Sequence, residues 1–265
     1  MDRSLFTAAT GMKAQQTNID VISNNLANIN TTAYKKSQAH FSTLYTQIVK
    51  APGGQLSTGQ TSPSGVQIGL GVQLDATNKA FTMGSLTNTG NSLDLAIEGD
   101  GFFQIQMPNG QFGYTRDGNF QIDGQTGDVV TNQGYLVFPS INIGEDVDKI
   151  MVSNDGQITV TRSSGSAGQA DNIGDIRLVN FANPSGLLEH SDNLYMASQA
   201  SGRPIDGDPM EENFGGIRQG FLEGSNVKVV EEIVNMITAQ RSYEASSNVI
   251  KASDEMLRQA NNIVS

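Results

Sequence analysis

Apolar residues recur every seven positions at both ends of the chain. Val229, Met236, Tyr243, Ile250, Leu257 and Val264 form one series, with Ile233, Ile237, Gln240 and Ser247 in the flanking slots. Leu5, Met12, Ile19 and Leu26 form the other, and Ala8, Gln15, Ile22 and Ile29 stand three positions after each. A heptad of this kind marks helices packed along a seam. The ends are therefore expected to be long helices that pack as a coiled-coil-like pair. The seam residues are Leu5, Met12, Ile19, Ile22, Leu26, Val229, Ile233, Met236, Tyr243, Ile250 and Leu257. On pattern alone the pair is either a stem that ties the termini together or an element of self-association.

The two helices differ in quality. Across residues 3 to 30 the polar positions are Gln, Asn, Ser and Thr, and Asp20 is the only charge between Lys13 and Lys35. A lone surface helix carries a charged outer face, so an uncharged one predicts that its outer side also packs against protein. Asn, Thr, Ser, Ile and Val form helix poorly, and Gly11 weakens it further, so this helix is expected to depend on partners. The C-terminal helix reads better. Ser225 or Asn226 offers an N-cap, and Glu231 and Glu232 sit where the helix dipole favours negative charge. From Val227 to Ile263 it would run about 55 Å, and its partner about 45 Å.

Between the ends the period changes. Residues 51–71, APGGQLSTGQTSPSGVQIGLG, carry no charge and read as an extended linker or long loop. From Val72 to Gly220 the signals are short strands and turns. Phe103 to Met107 alternates and is followed by Pro108-Asn109-Gly110, and Tyr114 and Phe120-Gln121-Ile122 flank Arg116-Asp117-Gly118-Asn119. Further turns fall at Asn132-Gln133-Gly134 and Ser153 to Gly156, and Ile176 to Phe181 is one more strand, stopped at Asn183-Pro184. Short strands at this spacing predict an antiparallel sandwich or barrel. Ser163 to Gly174 and Ser201 to Gly216 are expected as exposed loops. The predicted class is thus α+β and multidomain. Residues 1–44 carry the N-terminal helix, 45–71 an extended Gly/Ser/Thr-rich insert, 72–224 a mainly antiparallel β domain and 225–265 the C-terminal helix.

Composition narrows the function. With 16 basic against 27 acidic residues the net charge is -11, which argues against nucleic acid or anionic lipid as a charge-recruited partner. Hydrophobic content of 37% is low for one well-packed globule, so part of the chain is expected to lack a core of its own. There is no cysteine, hence no disulfide and no thiolate metal site. No apolar run is long enough to span a bilayer and no secretory signal opens the chain, so a cytoplasmic protein is expected unless a signal-less export route carries it.

Catalytic chemistry finds little support. The two histidines, His40 and His190, are far apart, and no phosphate-binding glycine motif occurs. Acidic groups at Glu98 to Gly101, Asp123 to Asp128 and Asp206 to Glu212 lack EF-hand spacing and read as turns. An enzyme would have to be built on Asp100, Asp117 or Arg116. We expect no catalytic, cofactor-binding or metal-binding residues and no cofactor.

Three separated motifs carry a family resemblance. Ser23-Asn-Asn-Leu-Ala-Asn-Ile-Asn-Thr-Thr-Ala-Tyr-Lys-Lys36 resembles the N-terminal signature of bacterial flagellar rod and hook proteins. Glu223-Gly-Ser-Asn-Val227, Glu232 with Met236-Ile237, and Gln240-Arg-Ser-Tyr-Glu244 are similar to the C-terminal signature. Ile97-Glu-Gly-Asp-Gly-Phe-Phe103 and Tyr114-Thr-Arg-Asp-Gly-Asn-Phe120 resemble the family's central β domain. The signature positions are Asn24, Asn25, Ala27, Asn28, Thr31, Tyr34, Lys35, Ser225, Asn226, Val227, Gln240, Arg241, Tyr243 and Glu244. Ala33 stands where the family usually has glycine.

The resemblance implies a structural subunit rather than an enzyme. Length and insert are most similar to the distal-rod branch of the family, whose segment after the first helix bridges neighbouring subunits and stiffens the rod. A subunit of that kind leaves the cell unfolded by the signal-less flagellar type III route and polymerises into a hollow helical drive shaft. The shaft spans the periplasm, carries torque from motor to hook and encloses the export channel. The implied partners are further copies of the chain, the proximal rod proteins, the hook protein, the surrounding basal-body rings and the export apparatus, with no nucleic acid and no membrane insertion. Proximal rod or short hook proteins, and a surface adhesin on a coiled-coil stalk, are the alternatives.

Overall fold

A computed structural model of the chain describes residues 2–52, 64–144, 147–162 and 170–264. The chain forms two compact units. A helical unit comprises Met1–Ala27, Ser37–Asn78 and Lys228–Ser265, and a β unit comprises Asn28–Lys36 and Lys79–Val227.

In the helical unit, α1 (Asp2–Ala27) and α2 (Val229–Val264) pack side by side. Ser4 Oγ lies 3.4 Å from Ser253 Oγ, a Cβ on Gly11 would stand 3.5 Å from Ser246 Oγ, and Asn25 Nδ2 lies 3.5 Å from Glu232 Oε2. As the α1 number rises by seven or by fourteen, the α2 number falls by the same amount, so the helices run antiparallel in one constant register. Asn18 and Ala239, itself buried, fall in the same series. Gly11 is thus tolerated within α1 because it faces the partner helix, although glycine weakens a helix interior.

The start of α2 differs from the expected one. The Glu232 N–H donates to the Lys228 carbonyl at 3.1 Å, which makes Val229 the first helical residue. Ser225 and Asn226 are not its caps. Ser225 Oγ accepts from the Val227 N–H at 3.3 Å, and the Asn226 side chain is engaged within the β unit.

Two short ladders complete the helical unit. Ser37–Thr43 pairs with Val72–Lys79, and Thr46–Lys50 runs antiparallel to Val66–Gly69 with Gln47 opposite Ile68. Residues 53–63 of the expected linker lie outside the described residues. Its last part is not a loop, because Val66 and Ile68 supply enough alternation for a strand.

The β unit is mainly antiparallel. Phe102–Gln106 and Phe112–Thr115 form a hairpin closed at Pro108-Asn109-Gly110, where Gly110 adopts φ 79°. Leu136–Phe138 and Leu178–Asn180 both pair with Phe102–Gln106, which puts that strand at the centre of a nine-stranded sheet. Val147–Val152, Gln157–Arg162 and Ala170–Asp175 form a three-stranded sheet. The turns expected at Asn132 to Gly134 and Ser153 to Gly156 fall where their residues place them, with Gly134 at φ 82° and Gly156 at φ 88°.

The central strand is covered on both faces. Phe103 packs into a cluster with Leu95, Ile97, Phe120, Leu178 and Ile217, whereas its neighbour Phe102 joins Tyr114, Val179, Phe181 and Tyr195. Successive strand side chains point to opposite faces, so one dipeptide anchors two cores. Each such ring contributes about 1.5–3 kcal/mol by leaving water.

Two expected loops differ in part, and residues 163–169 of the first lie outside the described residues. Ala170–Asp175 is a strand, although Asp, Asn and Gly disfavour one, because Gln157–Arg162 offers it a ladder. The stretch Ser201 to Gly216 is only partly exposed: Ile205–Gly207 pairs with Leu178–Asn180, and Ser201 is buried with its hydroxyl donating to the Ser198 carbonyl at 2.9 Å.

Candidate assembly interface

The seam residues fall into two groups. Ile22 is buried, and Leu5, Met12, Ile19, Leu26, Met236, Ile250 and Leu257 are half-buried. Val229, Ile233 and Tyr243 are exposed, at 41%, 42% and 40%. Among the residues of α2 whose burial is described, Glu232, Ala239 and Ser253 are buried, so its closest approach to α1 is made by small and polar side chains. The larger apolar residues lie elsewhere. Val229, Val230, Ile233, Val234 and Ile237 are all exposed, spread about 60° to 200° round the helix from Glu232. Val230 and Val234 were not among the seam residues, because strict seven-residue spacing sees one stripe and not a broad apolar arc.

The signature residues of α1 and α2 also divide. Asn25 is buried, and its amide grips the backbone of Ser37 twice: Nδ2 donates to the Ser37 carbonyl at 2.9 Å, and Oδ1 accepts the Ser37 N–H at 2.8 Å. Asn24, Ala27, Gln240, Arg241 and Glu244 are exposed, and Asn28 and Thr31 are half-buried.

In the β unit the three motifs converge on one buried cluster of charge. Lys35 comes from the first motif, Arg116 from the central one and Glu223 from the last. Lys35 Nζ donates to Glu223 Oε1 at 2.6 Å and to the Thr82 carbonyl at 2.8 Å. Arg116 Nε donates to Glu223 Oε2 at 2.8 Å, and its Nη atoms reach the carbonyls of Gly101, Gly99 and Ile97 at 2.9, 2.7 and 3.3 Å. The Gly84 N–H adds a donor to Glu223 Oε1 at 2.8 Å. Buried charges persist only when paired and hydrogen-bonded in this way.

Backbone and amide contacts extend this knot. The Ala33 N–H donates to the Glu223 carbonyl at 2.8 Å, and Asn226 Oδ1 accepts the Lys36 N–H at 2.7 Å. Asn226 Nδ2 donates to the Ala80 carbonyl at 2.8 Å. Tyr34 and Val227 are buried beside them, with Ser225 half-buried. Ala33 itself adopts φ 57°, so the turn after α1 keeps a left-handed residue even though alanine fills it. Gly118 is needed for closeness rather than for φ, since a Cβ there would meet the Leu95 carbonyl oxygen at 1.6 Å.

The charges shift one another. Burial alone would raise the Glu223 carboxyl, but Arg116 and then Lys35 outweigh it and hold the group below the usual carboxylate range. Burial, and next the repulsion from Arg116, bring the Lys35 ammonium below the ordinary lysine value, with Glu223 pulling the other way. Asp117 is pushed up by burial, against the N–H of Asn119 that it accepts. Of the residues on which an enzyme would be built, Arg116 is fully engaged in the knot and Asp100 is exposed. Glu223 was not among the site residues singled out by sequence. The signal available was its place as the one carboxylate in a motif whose counterparts, Lys35 and Arg116, are basic.

Among the described residues no group of three or more His, Asp or Glu could hold a metal ion, and no helix is long and apolar enough to cross a membrane.

Three family descriptions match the chain in order. Residues 5–35 match the flagella basal body rod protein family, 96–160 the flagellar hook protein FlgE/F/G D1 domain, and 218–263 the flagellar basal body rod FlgEFG protein C-terminal region. Together they define the class of flagellar rod and hook subunits, whose domains are structural. Full-length relatives narrow it. The chain is 46% identical to the flagellar basal-body rod protein FlgG of Buchnera aphidicola subsp. Schizaphis graminum, over 96% of this chain and 97% of that one. It is 46% identical to FlgG of Agrobacterium fabrum over 96% of both chains, and 43% identical to FlgG of Borreliella burgdorferi over 99% of both. The chain belongs to the flagellar basal-body rod protein family.

Proposed function

We propose that the chain is a structural subunit of the flagellar distal rod and that its terminal helices are the elements through which copies assemble. The observation that carries this reading is the apolar arc of α2, Val229, Val230, Ile233, Val234 and Ile237, left in water although the helix already has a partner in α1. Five neighbouring exposed apolar residues on one helix surface form a patch, and contiguous apolar patches mark protein interfaces. A contact between this arc and a different surface of the next copy is heterologous, and with a rotation that does not close into a ring it builds a helical filament. A hollow filament of this type is a drive shaft that carries torque to the hook and leaves a central passage for export. Proximal rod proteins, the hook protein and the surrounding rings are its neighbours in the basal body, reached by signal-less export. The absence of cysteine suits an unfolded passage.

The ladder of Thr46–Lys50 and Val66–Gly69 supports a second contact. Ile48, Val49, Val66 and Ile68 are all exposed, and a two-stranded ladder is marginal in water without a covering surface. In the rod, this segment rests on neighbouring subunits and stiffens the shaft.

The test is an Ile233→Asp variant supplied to a motile host that lacks its own copy. Loss of rod assembly and swimming, with the purified variant keeping the unfolding transition of the β unit, is the expected result. Normal swimming would remove α2 from the interface.

A further inference from the structure

We infer that Glu232, held by Asn25, selects the register in which α1 pairs with α2. The constant register places Ser4 with Ser253, Gly11 with Ser246, Asn18 with Ala239 and Asn25 with Glu232. Three of these four layers are made of small side chains or one amide against alanine. Such layers discriminate weakly, because sliding one helix by a heptad brings Ser4 against Ser246 and Gly11 against Ala239, which fit about as well. The larger side chains beside these layers, Leu5, Met12, Ile19 and Leu26 on one helix and Met236, Ile250 and Leu257 on the other, fall on one seven-residue spacing, so a slip of seven sets apolar against apolar again and shape leaves the register open.

The Asn25–Glu232 layer is different in chemistry and in place. Glu232 is 4% exposed and Asn25 is 2% exposed, so a carboxylate is buried next to an amide. Asn25 cannot turn to suit a slipped partner, because both ends of its amide are fixed on Ser37, by Oδ1 at 2.8 Å and Nδ2 at 2.9 Å. The remaining N–H of Nδ2 then faces Glu232 Oε2 at 3.5 Å, at the long end of hydrogen-bond range.

The layer is also the last one at its end of the pair, since α1 stops at Ala27 and α2 starts at Val229. A slip of seven residues in one sense carries Glu232 past the end of α1. In the other sense it carries Asn25 past the start of α2 and leaves Glu232 opposite Asn18. Either slip breaks the pair. This is the role of a single buried polar layer in a helix pair, which fixes register at some cost in stability. No other layer can do so, because no other combines a preset amide with a buried carboxylate.

The chain has no cysteine, so a pair of introduced thiols reports register cleanly. Two pairs are made in the full-length chain: Ser4→Cys with Ser253→Cys for the native register, and Ser4→Cys with Ser246→Cys for the slipped one. Position 246 lies about 10.5 Å along the helix from position 253, too far for a disulfide in the native register. Intrachain bridges are read as the fast-migrating monomer on a non-reducing denaturing gel after mild oxidation. In the parent background the native pair is expected to bridge roughly tenfold faster than the slipped pair, and Glu232→Leu is expected to reduce that preference at least about fivefold, the change that 1 kcal/mol makes. Glu232→Gln, which keeps an acceptor oxygen, restores it. An unchanged preference in Glu232→Leu overturns the inference, and so does failure of the native pair to bridge in the parent chain.

Discussion

The β unit buries large apolar side chains in two clusters, and the helical unit buries few. Phe103, Ile97, Leu178 and Ile217 are buried among one another, and the one dense group of charges, Lys35, Arg116 and Glu223, is buried and mutually paired. Among the described residues of the two helices, those buried are Ala14, Ile22, Asn25, Glu232, Ala239 and Ser253, while Val230, Val234, Ile237 and Phe6 stand in water. In the proposed assembly this contrast has a reason: the β unit draws its core from its own strands, and the apolar arc of α2 is left for a neighbouring copy to cover.

The largest effect is expected from Val230→Asp combined with Val234→Asp: no polymer sediments from the purified protein, while urea unfolding of the β unit is unchanged. Next comes the knot. Glu223→Ala leaves Lys35 and Arg116 as two uncompensated buried cations and is expected to cost about 3–5 kcal/mol, seen as a lower urea midpoint for the β unit. The helix pair should show no such loss, because its seam holds no paired charge.

The knot also predicts a pH dependence. The Glu223 carboxyl titrates lower in the folded chain than its ordinary value of 4.5, so its stabilisation is fully present above that value and is lost as pH falls through the folded value. Between pH 7 and pH 3 the urea midpoint of the β unit is expected to fall further in the parent chain than in Glu223→Gln. Equal slopes would mean that other carboxylates carry the acid sensitivity. The smallest effect is at the turn after α1. Ala33 holds φ 57°, a conformation that costs alanine roughly 1 kcal/mol relative to glycine, so Ala33→Gly is expected to raise the unfolding free energy by about 0.5–1 kcal/mol, seen as a higher urea midpoint.

Local signals were legible in the sequence, and non-local ones were not. Asn109-Gly110 and Asn132 to Gly134 announce their turns, because φ above zero demands particular residues whatever surrounds them. The heptads announce two helices for the same reason, since the period belongs to the helix itself. Ser37–Thr43 gave no sign of being a strand: it alternates poorly and is made one by Val72–Lys79, about 35 residues away. Ala170–Asp175 was hidden in the same way. Lys35, Arg116 and Glu223 were each visible inside a motif, but nothing in a motif says that it meets another. The direction of the apolar residues on α2 was likewise out of reach, because the heptad identifies a stripe and only the partner decides which part of it is covered.

The most direct measurement is hydrogen exchange on the intact chain, as monomer and after polymerisation. The expected result is that strands Phe102–Gln106, Phe112–Thr115 and Leu178–Asn180 are protected in both states. Amides of α2 from Val229 to Val249 should exchange faster than those strands in the monomer and gain protection in the polymer. Equal protection of α2 and the central strands in the monomer would contradict the account, because the helical unit would then be complete without neighbours.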